Sequence, residues 1–394
     1  MDSTTLEELI SLRRKLHSFP EISGEESHTA EMVIDFIKQY NPHGIIRNIG
    51  GAGVAFIYDG DLDGDTLLLR ADLDALPIQE KNNLSYKSNV EGISHKCGHD
   101  GHMAIIAGVA TQLKRRKLRK GKLILLYQPA EETGEGAKNV IEDEKFAKIR
   151  PDYVFALHNS PGYPEHSIAI KDKYMTIAST GMKISLIGKA AHAMSPEDGI
   201  SPVEAIKTIH TQLNDLQNVD RKSDDFSLIT TVGIMIGAED YGVAPADGEL
   251  VLTVRAYKNE ILESLLQKIT SLAGKIAQEE ELQMNISYKD QFLVTVNDTK
   301  CVEIVKDAAL SNQLDFITLD QCLGSSEDFG RLIDVSKKNG ALFLLGAGEK
   351  RHNVHTSEYD FNDNILIDGI NMFYSIIDTI LGFQADNNGG VKLS

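Results

Sequence analysis

Four apolar runs constrain this chain more than any other feature, because each leads into side chains able to bind a cation. Leu67-Leu68-Leu69-Arg70-Ala71 meets Asp72, and Lys122-Leu123-Ile124-Leu125-Leu126-Tyr127 continues through Gln128-Pro129-Ala130 to Glu131-Glu132. Tyr153-Val154-Phe155-Ala156-Leu157 meets His158, and Ala341-Leu342-Phe343-Leu344-Leu345 leads through a glycine loop to His355. Such runs, alternating with segments of helical periodicity, predict an α/β fold. Its sheet is mostly parallel and covered by helices, with sites beyond the carboxyl ends of the strands. One polar residue after one strand is ordinary; agreement in chemical type after four of them is not.

A fifth stretch, His95-Lys96-Cys97-Gly98-His99-Asp100-Gly101-His102, opens the apolar helical run Met103 to Leu113, which the cations Lys114 to Lys117 close. Asp100 suits the N-cap, which puts Cys97 and His99 in the loop before the first turn, free to converge. Thiolate and neutral imidazole are ligands for zinc and its neighbours. An isolated Cys-x-His reads better as a buried or reactive thiol beside solvated histidines; the four strand ends change that balance. His17, alone after the first helix, reads as a structural histidine. The glycines Gly50, Gly51 and Gly53 precede a strand and lack a following Gly-Lys-Ser/Thr, so they read as a turn rather than a phosphate loop.

At 394 residues the chain exceeds the usual reach of one core. From about Thr180 to Lys289 the order becomes strand, helix, strand, strand, helix, strand, predicting a self-contained α+β insert of the split βαβ type. The expected division is residues 1–179 with 290–394, interrupted by 180–289. Helices are expected over Leu6 to Leu16, Glu25 to Tyr40, Cys301 to Ala309, Glu327 to Lys338 and Ile365 to Leu381, and a frayed tail around Asn387 to Gly390. A net charge of −18 argues against nucleic acid or an anionic membrane as partner. Three cysteines without framework spacing, no signal-like leader and no membrane-length apolar run predict a cytoplasmic protein.

Several motifs stand together in a known order: Arg70-Ala71-Asp72-Leu73-Asp74-Ala75-Leu76-Pro77, Cys97-Gly98-His99-Asp100-Gly101-His102, Gln128-Pro129-Ala130-Glu131-Glu132 and Gly188-Lys189-Ala190-Ala191-His192-Ala193. Ser326-Glu327-Asp328-Phe329 and His352-Asn353-Val354-His355 extend them. With these the chain resembles the two-metal amidohydrolases and metallopeptidases that include hippurate hydrolases, auxin-conjugate hydrolases, aminoacylases and acetyl-diaminopimelate deacetylases. The resemblance implies a zinc-peptidase-like catalytic domain with a ferredoxin-like lid and dimerisation domain. It implies Cys97, His99, Glu132, His158 and His355 as ligands of two divalent ions (zinc, manganese, cobalt or nickel), Glu131 as general base and Asp72 as a supporting carboxylate. Distant relatives carry a ligand histidine where Arg70 stands, and His99 is expected to substitute. His192 matches a histidine reaching a facing subunit's site, which implies a homodimer, and Arg255 a substrate-contacting arginine. Gly242 stands where relatives have asparagine.

The expected reaction is hydrolysis of an N-acyl-amino acid. Two ions polarise the carbonyl and acidify water, and Glu131 takes the proton. In extended backbone Glu131 and Glu132 point opposite ways, one to water and one to metal. Asp100 and His102 fit capping and support of the ligands. The alternatives are a metallo-dipeptidase or carboxypeptidase with the same centre, and an inactive metal-bound sensor; the presence of Glu131 weighs against the last.

Overall fold

The computed structural model describes residues 2–384; the expected tail lies outside them. The chain divides into two compact units, the first holding residues up to Met175, Thr295–Gln321 and those from Asp328 on, the second Thr176–Val294 and Cys322–Glu327. In chain order the longer strands are β1 (Gly44–Ile49), β2 (Gly53–Asp59), β3 (Leu62–Asp72), β4 (Lys120–Gln128), β5 (Tyr153–Ser160), β6 (Ser167–Ile170), β7 (Ala178–Ile187), β8 (Ser227–Ile236), β9 (Asp247–Ala256), β10 (Gln283–Phe292), β11 (Asp315–Thr318) and β12 (Gly340–Gly346). The helices are α1 (Ser3–Ser18), α2 (Ser27–Ile37), α3 (His99–Leu113), α4 (Gly136–Glu142), α5 (Val203–Gln212), α6 (Asn259–Glu279), α7 (Thr299–Ser311), α8 (Gly330–Val335) and α9 (Leu366–Ile380).

The first unit is built on one eight-stranded sheet in the order β1-β2-β4-β3-β5-β12-β6-β11. Its centre, β4-β3-β5-β12, is parallel as the apolar runs require. Towards the margins β1 on β2, β2 on β4 and β6 on β12 are antiparallel, while the edge strand β11 runs parallel to β6. Alternate residues such as Leu67, Leu69 and Ala71 join the main core with α3, while Leu68 and Arg70, equally buried, take the other face. Nearly every residue of α3 is buried, including Met103, Ile105, Ile106 and Val109, because α1 and α9 also pack on it. Gly101 and Gly108, two turns apart on one side of α3, make that approach possible: a Cβ on Gly101 would lie 2.1 Å from the Phe361 ring, and one on Gly108 2.3 Å from Ile370.

The second unit is a four-stranded antiparallel sheet, order β8-β9-β7-β10. Gly248, Leu250, Leu252, Val254 and Ala256 form the buried face of β9. Helix α6 buries Leu262, Leu265, Ile269, Ala273 and Ile276 at spacings of three and four, and α5 buries Ala205, Ile206 and Ile209. This is the ferredoxin-like arrangement expected of the insert.

Candidate metal centre

Cys97 is placed by its neighbour. Gly98 is the N-cap residue of α3 with φ 101°, and a Cβ there would stand 2.2 Å from Asn159 Oδ1, so only glycine turns the chain into the helix at this point. Two expectations are corrected here. The helix begins at His99, so that side chain projects from the first turn rather than from the loop, and Asp100 caps nothing. Instead Asp100 Oδ2 lies 2.8 Å from His17 Nδ1 and 3.4 Å from Arg13 Nη1 in a buried network behind the helix. Glu131 and Glu132 are likewise not in extended backbone. They occupy a turn that follows Ala130 at φ 52°, whose N–H donates to Glu26 Oε1 at 2.7 Å.

The strand ends and loops bring the expected donors together within the first unit. Cys97 Sγ lies 3.3 Å from His158 Nε2 and 3.3 Å from His355 Nε2, and His355 Nε2 lies 3.5 Å from Glu132 Oε1. His99 Nε2 stands 3.8 Å from Glu132 Oε1 and 3.9 Å from Glu131 Oε2. Among the described residues five groups of three possible donors lie with their atoms within 4.8 Å of one another, and two of them consist of expected ligands alone, Cys97 with His99 and His158, and Cys97 with Glu132 and His355. These two share the sulfur.

The surrounding bonds decide which atoms face inward. His99 Nδ1 donates to the Asp74 carbonyl at 2.8 Å and His158 Nδ1 to the Asn159 carbonyl at 2.8 Å, since a carbonyl can only accept; both Nε2 atoms are thereby left for a ligand. Asp72 Oδ1 lies 2.7 Å from His102 Nδ1, and His102 Nε2 2.6 Å from Asn159 Oδ1. Arg70 spans Asp72 Oδ2 at 2.7 Å, Gln128 Oε1 at 3.1 Å and Asp328 Oδ1 at 2.9 Å, so it anchors the supporting carboxylate. Asp74 escaped the sequence reading although it stands in a quoted motif. Its Oδ2 accepts from Ser23 Oγ and from the Glu132 N–H at 2.9 Å. Glu26, at the base of the glutamate turn, had no sequence signal of its own.

These residues fit a cation. His99 Nε2 and Glu132 Oε1 are buried without a hydrogen-bond partner. Burial opposes charge on His99, yet Asp72, Asp74 and Glu132 outweigh it and push its pKa up to about 10. Burial and then the carboxylates of Glu132, Glu131 and Asp72 hold the Cys97 thiol well above its usual range. The centre therefore retains protons in places a divalent ion would take over, and thiolate with imidazole and carboxylate suits zinc and the borderline transition metals. His158, driven down to about 3 by burial and then by His102, is already in the neutral ligating form.

Comparison with known proteins agrees with this geometry. Residues 68–379 match the family model described as peptidase family M20/M25/M40. The chain belongs to this family. A hippurate hydrolase of Campylobacter jejuni is 32% identical over 363 residues, covering 91% of this chain and 93% of that one. An N-acetyl-L-cysteine deacetylase of Bacillus subtilis is 31% identical, covering 100% and 92%. Among solved structures, a putative aminohydrolase from methicillin-resistant Staphylococcus aureus superposes with a TM-score of 0.84 at 25% identity, over 96% of this chain and 97% of that one. A dinuclear metal-binding M20 peptidase from Bacillus subtilis gives 0.81 at 25% identity, over 96% and 99%.

As a member of the M20 family the protein is a metal-dependent amidohydrolase. Among the described residues no helix is long and apolar enough to cross a membrane. The remaining predicted site residues lie in the second unit. His192 is exposed in a two-residue strand paired with Val243, and its Nδ1 accepts from the Met194 N–H at 3.0 Å. Arg255 occupies the face of β9 opposite the helices, and its Nη1 donates to the Gly324 carbonyl at 3.1 Å. Gly242 donates its N–H to Asp240 Oδ1 at 3.0 Å, and its carbonyl accepts from the Ala193 N–H at 2.9 Å, as a turn residue does.

Proposed function

We propose that the chain cleaves the amide bond of N-acyl-amino acids, with two divalent ions held by Cys97, His99, Glu132, His158 and His355. The observation carrying this reading is the sharing of Cys97 by two donor groups, with the Glu131 carboxylate beside His99 at 3.9 Å. Zinc, manganese, cobalt or nickel bound there supplies polarisation of the amide carbonyl and lowers the pKa of water. Glu131 accepts a proton from the attacking water. As the C–N bond breaks it returns that proton to the departing nitrogen, so that a carboxylate and a free amino acid leave. Asp72 keeps His102, and through it Asn159, in fixed orientation beneath the ligands.

In the second unit, Arg255 recognises the carboxylate of the leaving amino acid through its forked donors, and Gly242 leaves room that asparagine would fill. His192 donates to the developing oxyanion of a facing subunit. Dimerisation is supported by β8, an edge strand whose Val232, Ile234 and Met235 are 58%, 45% and 48% exposed. The relatives named as hippurate hydrolase and N-acetyl-L-cysteine deacetylase support the substrate class.

The test is release of free amino acid from acetyl, benzoyl and indole-acetyl amino acids and from dipeptides, each with added zinc, manganese, cobalt or nickel. Acyl-amino acids are expected to turn over fastest. Cleavage of dipeptides alone would replace this reading with a dipeptidase.

A further inference from the structure

Lys96 belongs to neither donor group, yet it is 0% exposed. Its ammonium donates to Glu80 Oε1 at 2.7 Å and to the Tyr359 carbonyl at 2.7 Å. Its own carbonyl accepts from the His355 N–H at 2.6 Å. One residue therefore grips the segment from His355 to Tyr359 at both ends, and it is the chain neighbour of Cys97.

His355 needs such a grip. Its backbone has φ 63°, a conformation disfavoured for any residue with a Cβ, and its side chain is 51% exposed, so packing alone does not orient the imidazole. A buried ammonium–carboxylate pair adds little net stability over apolar groups of the same shape. What Lys96 and Glu80 supply is direction, since Glu80 is itself fixed by His17 Nε2 at 3.1 Å and by the Ser88 N–H at 2.8 Å. Tyr359 extends the same frame to the opposite donor: its hydroxyl accepts from Asn159 Nδ2 at 2.6 Å, and Asn159 Oδ1 meets His102.

We infer that Lys96 is a positioning residue for the Cys97–Glu132–His355 half of the centre, holding His355 beside the shared sulfur before any ion arrives. In the Cys97–His99–His158 half the two imidazoles are oriented by the Asp74 and Asn159 carbonyls, and the 355–359 segment reaches it through the Tyr359 hydroxyl on Asn159 Nδ2 rather than through Lys96. This rests on the ligand set proposed above.

The experiment uses the full chain stripped by a chelator and titrated with cobalt(II), followed by calorimetry and visible absorption. Wild type is expected to take two ions. The double variant Glu80→Gln, Lys96→Met removes both charges together, and circular dichroism checks its fold. It should bind the first ion as wild type does and the second roughly 10- to 100-fold more weakly. Two ions at wild-type affinity in the folded double variant overturn the inference. Wild type taking fewer than two ions overturns the ligand set instead. Hydrogen exchange of metal-free wild type decides the matter even if the double variant does not fold. The His355 amide should be protected without metal; exchange at an open-peptide rate until cobalt is added would mean that the ion, not Lys96, orders the segment.

Discussion

Glu131 and Glu132 are adjacent residues with separable tasks. Glu131→Gln keeps the shape and every proposed ligand but removes the proton acceptor, so kcat should fall roughly 100- to 10,000-fold while metal content by elemental analysis stays at the wild-type value. Turnover within about tenfold of wild type would remove Glu131 from the base role. Glu132→Ala should instead lower metal content, because it removes the carboxylate from the Cys97–Glu132–His355 group. Arg255→Ala should erase the preference for free-acid over amide-capped substrates, and Gly242→Asn should penalise large substrates more than small ones. An unchanged ranking in either variant would leave carboxylate recognition or substrate size to other residues.

At the scale of elements, α3 is held by charges as well as by packing. Helix α1 turns Arg13 and His17 inward, where Asp100 meets both and Glu80 links His17 to Lys96. Burial opposes the charge on His17, but hydrogen bonds with Asp100 and Glu80 outweigh it and raise its pKa from 6.5 to about 9. A raised pKa means that this contribution is complete below pH 6.5 and is lost as pH climbs through about 9. Glu80 is the opposite case. Burial would raise its pKa, yet His17 and Lys96 lower it from 4.5 to about 2, so its contribution holds above pH 4.5 and fades as pH falls toward 2. Thermal unfolding of metal-free protein should therefore show its highest Tm between these limbs, and His17→Gln should flatten the alkaline limb; an alkaline slope identical to wild type would show that His17 does not carry it. Gly101→Ala, forced against Phe361, should lower stability by about 1–3 kcal/mol in urea unfolding.

For the whole molecule, ions that bind only the folded first unit must stabilise it. Free zinc or manganese at about 100 times its Kd should add roughly 2.7 kcal/mol, read as a rise in Tm that a chelator reverses. A Tm indifferent to both would mean that the donors do not form a tight centre. If His192 serves a facing subunit, mixing His192→Ala with Glu131→Gln chains under exchange should restore activity in one site per mixed dimer. No recovery after confirmed exchange would place His192 within its own chain's site or outside the chemistry.

Hydrophobic pattern was enough to locate the central parallel strands, because burial forces apolar continuity; the resemblance in motif order singled out Cys97, His99, Glu132, His158 and His355, whose donor atoms the fold brings near one another. Other features depend on contacts between residues far apart in the chain, which no local pattern encodes. Asp100 looked like a cap because its partners, Arg13 and His17, lie more than eighty residues away. The glutamates looked extended because the left-handed Ala130 depends on Glu26, which precedes it by 104 residues. Arg70 looked like a lost ligand until its bonds to Asp72 and Asp328 were seen. Residue type fixed which atoms could bind a cation; only tertiary packing, by giving His99 and His158 a carbonyl each and Asp72 and Asp74 their donors, decided which of those atoms turn toward one another.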